Sequence, residues 1–485
     1  MLGMGNMRQW LMNISLVGGW FPAAAFAVIA VLSVTLLVSA AVSKRDGRIL
    51  ATVLPIGVAA VSGMVGYVVA WLLSDVFVVF GVGLGSRVMS WVAAGFAIAG
   101  FAIVHIVLSR GMMRVAAAIL TVFAILAAAI GIDQSYGEYA TIGSLFGEDS
   151  YSQADLTGLA KRKDLITVAQ WRKQAANGTI RNIPANGTVN KIDIPATKSQ
   201  FEARKALVYL PPAALADSKR KPALPVVLML SGQPGSPGRV FQAGGIQTMM
   251  DGYAKTHDGL APIVIAADQL GADSHNTLCV DSKVYGNALT YLTQDVVDWV
   301  KTNLPAAQNA KDWAIAGFSQ GATCSLQIGV NHPDLFGTMI PTDSEIKPTN
   351  GSRQEMIDRF FDGDTTAYEN QVPVNAIRNH APTHQMLIIG AGEKDTTSIR
   401  NVKTIAPVAA KAGMRVAAVE SSGNAHDWHA VQDVLRYGLR RIRPRHRTGW
   451  CEPETYPTIR ISNASRYDDS EHKPASLSNP RKGKK

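Results

Sequence analysis

The sequence predicts a chain in two parts: an N-terminal bundle of four transmembrane helices, then an α/β domain with a mostly parallel sheet flanked by helices. Three observations carry that reading. The 485 residues are too many for one ordinary domain. Charge is almost absent from the first 132 residues, which hold seven Lys/Arg and two acids, Asp46 and Asp75. Further on, short continuously apolar runs alternate with helical stretches, the rhythm of strand–helix units.

Composition narrows the classes. The first third is lipid-soluble and the rest has a normal soluble charge density, which excludes a wholly cytosolic enzyme and a disordered or collagen-like chain. Three cysteines without a C-x-x-C pair exclude a disulfide-dense scaffold and a zinc ribbon. The net charge of +10 is localised: residues 436–485 carry 13 basic residues against five acids, the first 132 residues are also net basic, and residues 133–435 are mildly acidic. A nucleic-acid partner is not supported, because this charge sits in a tail and in membrane loops rather than on a folded face.

Four runs free of Asp, Glu, Lys and Arg are each close to the ~20 residues a membrane-crossing helix needs: Pro22–Val42, Ile49–Leu73, Val88–Leu108 and Val115–Ile132. A cleaved signal peptide would still leave three of them. Ser43–Arg48 has three basic residues and Ser109–Arg114 has two, so both loops read as cytoplasmic by the positive-inside rule. The bilayer is thus the first expected partner, with residues 133–485 on the extracytoplasmic side of the cell membrane. His105, in the third span, is expected to be neutral and to bond locally. Gly81–Ser86 resembles a phosphate loop but has no strand–helix unit around it, and reads as a flexible loop.

Residues 133–175 read as a connector, 176–445 as the α/β domain and 446–485 as a basic, disordered tail. Strand-like pieces at Val189–Ile194 and Ala206–Tyr209 are followed by Pro225–Leu230 and Ile263–Ala267, runs apolar enough to be buried on both faces. A helix is expected through Tyr291–Leu304. Asp312–Ala316 leads into Gly317, and a helix over Ala322–Asn331 stops at His332-Pro333. Further strands fit Gln385–Gly390 and Met414–Val419.

The strongest chemical signal is Gly317-Phe318-Ser319-Gln320-Gly321, a G-x-S-x-G at a strand-to-helix junction. There the sharp turn exposes the Ser319 hydroxyl, the flanking glycines remove Cβ atoms that would clash, and the helix N-terminus favours developing negative charge. A serine nucleophile needs a base, and the base needs an orienting carboxylate. Asp395, just past the Gln385–Gly390 strand, is preferred over Glu393 as that carboxylate. His426, past the next strand, is preferred over His429 as the base. Oxyanion donors are expected from the backbone N–H groups of Gln320 and of Gln233 in the Ser231–Gly235 loop. No metal-ligand spacing appears, and no metal or organic cofactor is expected.

Taken together, Asn276–Leu304, the GFSQG elbow and Gly423-Asn424-Ala425-His426-Asp427-Trp428 resemble the esterase D, feruloyl esterase and mycolyltransferase branch of the α/β hydrolases over Ile180–Arg445. The four-span anchor is similar to that of membrane-bound envelope esterases, alanyl-phosphatidylglycerol hydrolases among them. Mycolyltransferases carry Glu as the acid and Met after the nucleophile, where Asp395 and Gln320 stand here.

These readings together predict a membrane-anchored serine ester hydrolase acting outside the cytoplasm; four spans tether it close to envelope lipid esters, with aminoacyl-phosphatidylglycerol the first candidate substrate and a mycolate or other acyl-glycan ester the second. An acyltransferase using an envelope alcohol is the alternative within the enzymes, and a non-catalytic membrane scaffold the alternative outside them. Disulfides persist in that compartment, so Cys279 and Cys324 are a candidate bridge, two buried thiols being the other possibility. Cys451 is left over.

Overall fold

A computed structural model describes residues 2–42, 48–77, 85–146, 151–160, 164–439 and the backbone of 458–461. Cys451, most of the basic tail and most of the Ser43–Arg48 and Gly81–Ser86 loops lie outside the described residues.

A short helix, α1 (Leu2–Met12), precedes four long ones: α2 (Trp20–Ala41), α3 (Arg48–Trp71), α4 (Gly85–Leu108) and α5 (Met112–Tyr136). These four are long and apolar enough to cross a membrane. They pack closely because small residues let backbones approach. A Cβ at Gly100 of α4 would collide with Ser62 of α3, and one at Gly131 of α5 with the Trp91 ring. His105 is buried against Phe101, with ring centroids 4.6 Å apart. Its Nε2 has no hydrogen-bond partner among the described residues. Helix α5 runs to Tyr136, carrying the last apolar span on through the polar residues Asp133, Gln134 and Ser135.

The second part is built on a nine-stranded sheet. In chain order its strands are β1 (Thr188–Ile192), β2 (Ala206–Leu210), β3 (Val226–Leu230), β4 (Ile263–Ala266), β5 (Trp313–Phe318), β6 (Thr338–Thr342), β7 (Met386–Gly392), β8 (Arg415–Ser421) and β9 (Thr458–Ile461). Across the sheet they run β1-β2-β4-β3-β5-β6-β7-β8-β9. Strand β2 is antiparallel to both neighbours, and the other pairs are parallel.

The continuous apolar runs follow from burial on both faces. On β3, Val226, Leu228 and Leu230 enter one core cluster while Val227 and Met229 enter the other. Strand side chains alternate between faces, so only an unbroken apolar run satisfies both cores. One helix in the stretch expected as a connector belongs to this domain. Val168–Ala176, labelled α6, buries Trp171 completely in the larger core, and the indole N–H donates to the Asp258 carbonyl at 3.0 Å.

Strand β6 was not expected. Thr338–Thr342 is short and contains Pro341, which lacks the N–H a central strand uses. It is accommodated in the sheet interior, pairing with β5 through all five residues and with β7 through Thr338, Met339 and Thr342.

Candidate active site

Parallel strands end on one edge, and the functional side chains lie on the loops that leave it. Ser319 sits between β5 and the helix α8 (Gln320–Asn331), which lie either side of a turn so tight that its φ is +56° and its ψ −118°. A non-glycine residue at positive φ is strained and persists only where its surroundings enforce it. Here the enforcement is visible. The Ser319 N–H donates to the Thr342 carbonyl of β6 at 3.0 Å. A Cβ at Gly317 would collide with the Gly321 backbone, and one at Gly321 with the Ser231 and Leu230 carbonyls.

The imidazole of His426 bridges two partners. Its Nε2 is 2.8 Å from Ser319 Oγ and its Nδ1 is 2.7 Å from Asp395 Oδ2. Asp395 caps the helix α9 (Thr396–Lys411), its Oδ1 accepting the Ser398 N–H at 3.0 Å. Burial opposes ionisation of Asp395. The hydrogen bond and charge of His426, with the bonds from Ser398, outweigh it and hold the carboxyl below its ordinary value. For His426 burial likewise disfavours charge, but the hydrogen bond and charge of Asp395 prevail and raise the imidazole above 6.5. Glu393 points elsewhere and accepts the Gly423 N–H at 2.8 Å, bracing the histidine loop. His429 lies beside Gly137, at the end of α5.

The Ser231–Gly235 loop packs against the elbow: a Cβ at Gly232 would stand 3.5 Å from Ser319 Cβ. Its Gln233-Pro234 bond is cis, and the Gln233 amide donates to the Ser274 carbonyl at 3.3 Å. Gln269 fastens the loop, donating to the Ser231 carbonyl at 2.7 Å and to Gln320 Oε1 at 3.3 Å. The Gln320 side chain is therefore tied inward, also reaching Asn276 Oδ1 at 3.2 Å. Its backbone N–H opens α8, where the first N–H groups lack intrahelical acceptors. Cys279 and Cys324 are joined as a disulfide across 45 residues, linking the loop after β4 to α8.

Two further acids stand at this edge. Asp343 follows β6, is fully buried, and accepts the Gly392 N–H at Oδ1 while Oδ2 has no partner among the described residues. Burial pushes its carboxyl well above the ordinary value, with Asp395 and Asp427 adding to the rise against His426. Burial likewise pushes Glu345 up to about 7, opposed by His426. No sequence signal marked either, because their strand was itself unrecognised.

Ligand atoms of Asp343, Asp395 and His426 lie within 4.8 Å of one another, a spacing that would suit a cation. Both imidazole nitrogens are already engaged, by Asp395 and Ser319, so the histidine has no lone pair free for an ion in this arrangement.

A doubly wound sheet carrying a strained serine at a strand–helix elbow, with histidine and aspartate on the next loops, defines a serine hydrolase of the α/β-hydrolase fold. The family model described as Putative esterase matches residues 198–437. An uncharacterised protein of Corynebacterium glutamicum is 32% identical over 333 residues, 67% of this chain and 74% of that one. The chain belongs to this esterase family and is a serine esterase. Among solved structures it is similar to an S-formylglutathione hydrolase from Agrobacterium tumefaciens (16% identity, 54% of this chain and 96% of that one, TM-score 0.43). A ferulic acid esterase from Anaeromyces mucronatus (18%, 54% and 92%, TM-score 0.41) and MPT51 of Mycobacterium tuberculosis (13%, 52% and 97%, TM-score 0.39) are also similar to it.

Proposed function

We propose that this chain is a membrane-anchored ester hydrolase that works outside the cytoplasm through Ser319, His426 and Asp395, on an ester of an envelope lipid. Ser319 Oγ attacks the ester carbonyl while His426 Nε2 takes its proton. The backbone N–H groups of Gln320 and Gln233 receive the oxyanion, each such donor lowering the barrier by about 3 kcal/mol. His426 then returns the proton to the leaving alcohol. Water, activated by the same imidazole, clears the acyl-enzyme. Asp395 holds the ring in the tautomer this requires and stabilises the imidazolium.

The observation that carries the lipid reading is contact between membrane helices and the histidine loop. Gly85 opens α4 so close to the loop that a Cβ there would stand 3.8 Å from that of Ala425, next to His426. Gly137 closes α5 at a similar distance from His429. A site held at the ends of membrane helices meets bilayer esters at high effective concentration. The basic loops Ser43–Arg48 and Ser109–Arg114 support an extracytoplasmic catalytic domain. Aminoacyl-phosphatidylglycerol is the first candidate, on the likeness of the four-span anchor to that of alanyl-phosphatidylglycerol hydrolases.

Polar lipids extracted from cells with wild-type protein or Ser319→Ala test this. Accumulation of an aminoacylated lipid in the variant is expected. Unchanged lipids, with cleavage confined to soluble short-chain or aryl esters, would overturn the lipid reading. Transfer of the acyl group to an added alcohol in preference to water would make the enzyme an acyltransferase.

A further inference from the structure

The junction between the anchor and the catalytic domain is organised around one carboxylate. Helix α5 ends at Tyr136, Gly137 turns the chain with φ +69°, and Glu138 enters the space between two elements that flank Ser319. One is the helix α7 (Pro237–Gln242), which begins two residues after the Ser231–Gly235 loop. The other is α10 (Trp428–Leu439), which begins two residues after His426.

Glu138 holds both. Its Oε1 pairs with Arg239 Nε of α7 at 3.2 Å, and its main-chain carbonyl accepts Arg239 Nη1 at 2.7 Å. Its Oε2 accepts the Trp428 indole N–H at 2.9 Å. The Arg239 guanidinium also lies over the Tyr139 ring, 4.1 Å from its centroid. From Trp428 the contact continues inward. Its buried ring packs 5.0 Å from that of Phe318, the residue before Ser319, and Phe318 packs 4.9 Å from the His426 imidazole.

One charged group, delivered by the membrane anchor, therefore joins the helix behind the expected oxyanion loop to the helix behind the base. Charge-assisted bonds of this kind fix geometry as well as adding energy. Catalysis is sensitive to that geometry, since a displacement of ~1 Å can cost ~100-fold in rate.

We propose that Glu138 is a positioning residue, through which the end of the fourth membrane helix sets the alignment of His426 on Ser319 by way of Trp428 and Phe318. The proposal rests on the reading of Ser319 and His426 as nucleophile and base. It makes the anchor part of the catalytic apparatus rather than a tether alone.

The test uses the full chain in nanodiscs, with a water-soluble aryl ester as substrate and a fluorophosphonate to count competent sites. Per competent site, Glu138→Ala and Trp428→Phe each lower kcat about tenfold and leave KM within twofold. The double variant is no slower than the slower single, because both cut one connection. Glu138→Gln, which keeps an oxygen acceptor for the indole, recovers most of the loss. Wild-type kcat per site in Glu138→Ala overturns the proposal. So does a loss explained wholly by fewer competent sites, or losses that multiply in the double variant. Ser319→Ala separates the two readings: if it retains activity the catalytic assignment fails, and if it is inactive while Glu138→Ala is unimpaired only the positioning role fails.

Discussion

The Gly392 N–H donates to Asp343 Oδ1 at 2.9 Å, joining the ends of β6 and β7 where each strand delivers an acid to the same histidine. The two acids stand in opposite states. Asp395 is held ionised by His426 and Ser398, whereas burial keeps Asp343 protonated over the ordinary carboxylate range.

A contrast between isosteric variants follows. Asp395→Asn removes the group that orients the imidazole and stabilises its charge, and kcat falls about 10⁴-fold. Asp343→Asn puts an isosteric neutral amide where burial favours the protonated acid, and kcat changes by no more than about threefold. The folded Asp343 binds its proton more tightly than the unfolded chain does, so its contribution to stability declines as pH rises above about 4. Asp343→Asn is therefore expected to flatten the fall in melting temperature between pH 4 and pH 7. Equal damage from the two variants would mean that Asp343 carries charge at the site.

The pH profile reports His426. The base works only when neutral, so kcat/KM is lost as pH falls through the imidazole pKa, which the Asp395 carboxylate holds above 6.5. The acid limb of kcat/KM on an aryl ester is expected to have its midpoint above that value, and to move downward in residual activity of Asp395→Asn. A wild-type midpoint below 6.5 would contradict the electrostatics described.

These contrasts also mark what could be read from the sequence. The elbow was legible because G-x-S-x-G coincides with a strand–helix junction, and the placement of Asp395 and His426 at the same sheet edge because each follows a recognisable apolar strand. Asp343 was hidden because Pro341 disguised its strand. Glu138 was hidden for another reason: its partner Trp428 is 290 residues away, a contact that no local pattern encodes.

Closing a loop of 45 residues, the Cys279–Cys324 bridge is expected to contribute about 4 kcal/mol by restricting the unfolded chain. Alkylation of unfolded, unreduced protein is expected to modify one cysteine, Cys451; three modified cysteines would contradict the bridge. A Cys279→Ser/Cys324→Ser variant loses stability while keeping most of its activity per folded molecule.

Orientation is open to a direct check. An impermeant protease added to intact cells stripped of outer barriers is expected to digest the region after residue 133. Resistance until lysis would reverse the assignment drawn from the basic loops.

The central claim is that Ser319 is a nucleophile activated by His426, and covalent labelling of the full chain in its membranes measures it most directly. A fluorophosphonate is expected to label wild type and His429→Ala at comparable rates, to label His426→Ala at least 100-fold more slowly, and not to label Ser319→Ala. Equal labelling of Ser319→Ala and wild type, or no labelling of wild type, would contradict the account.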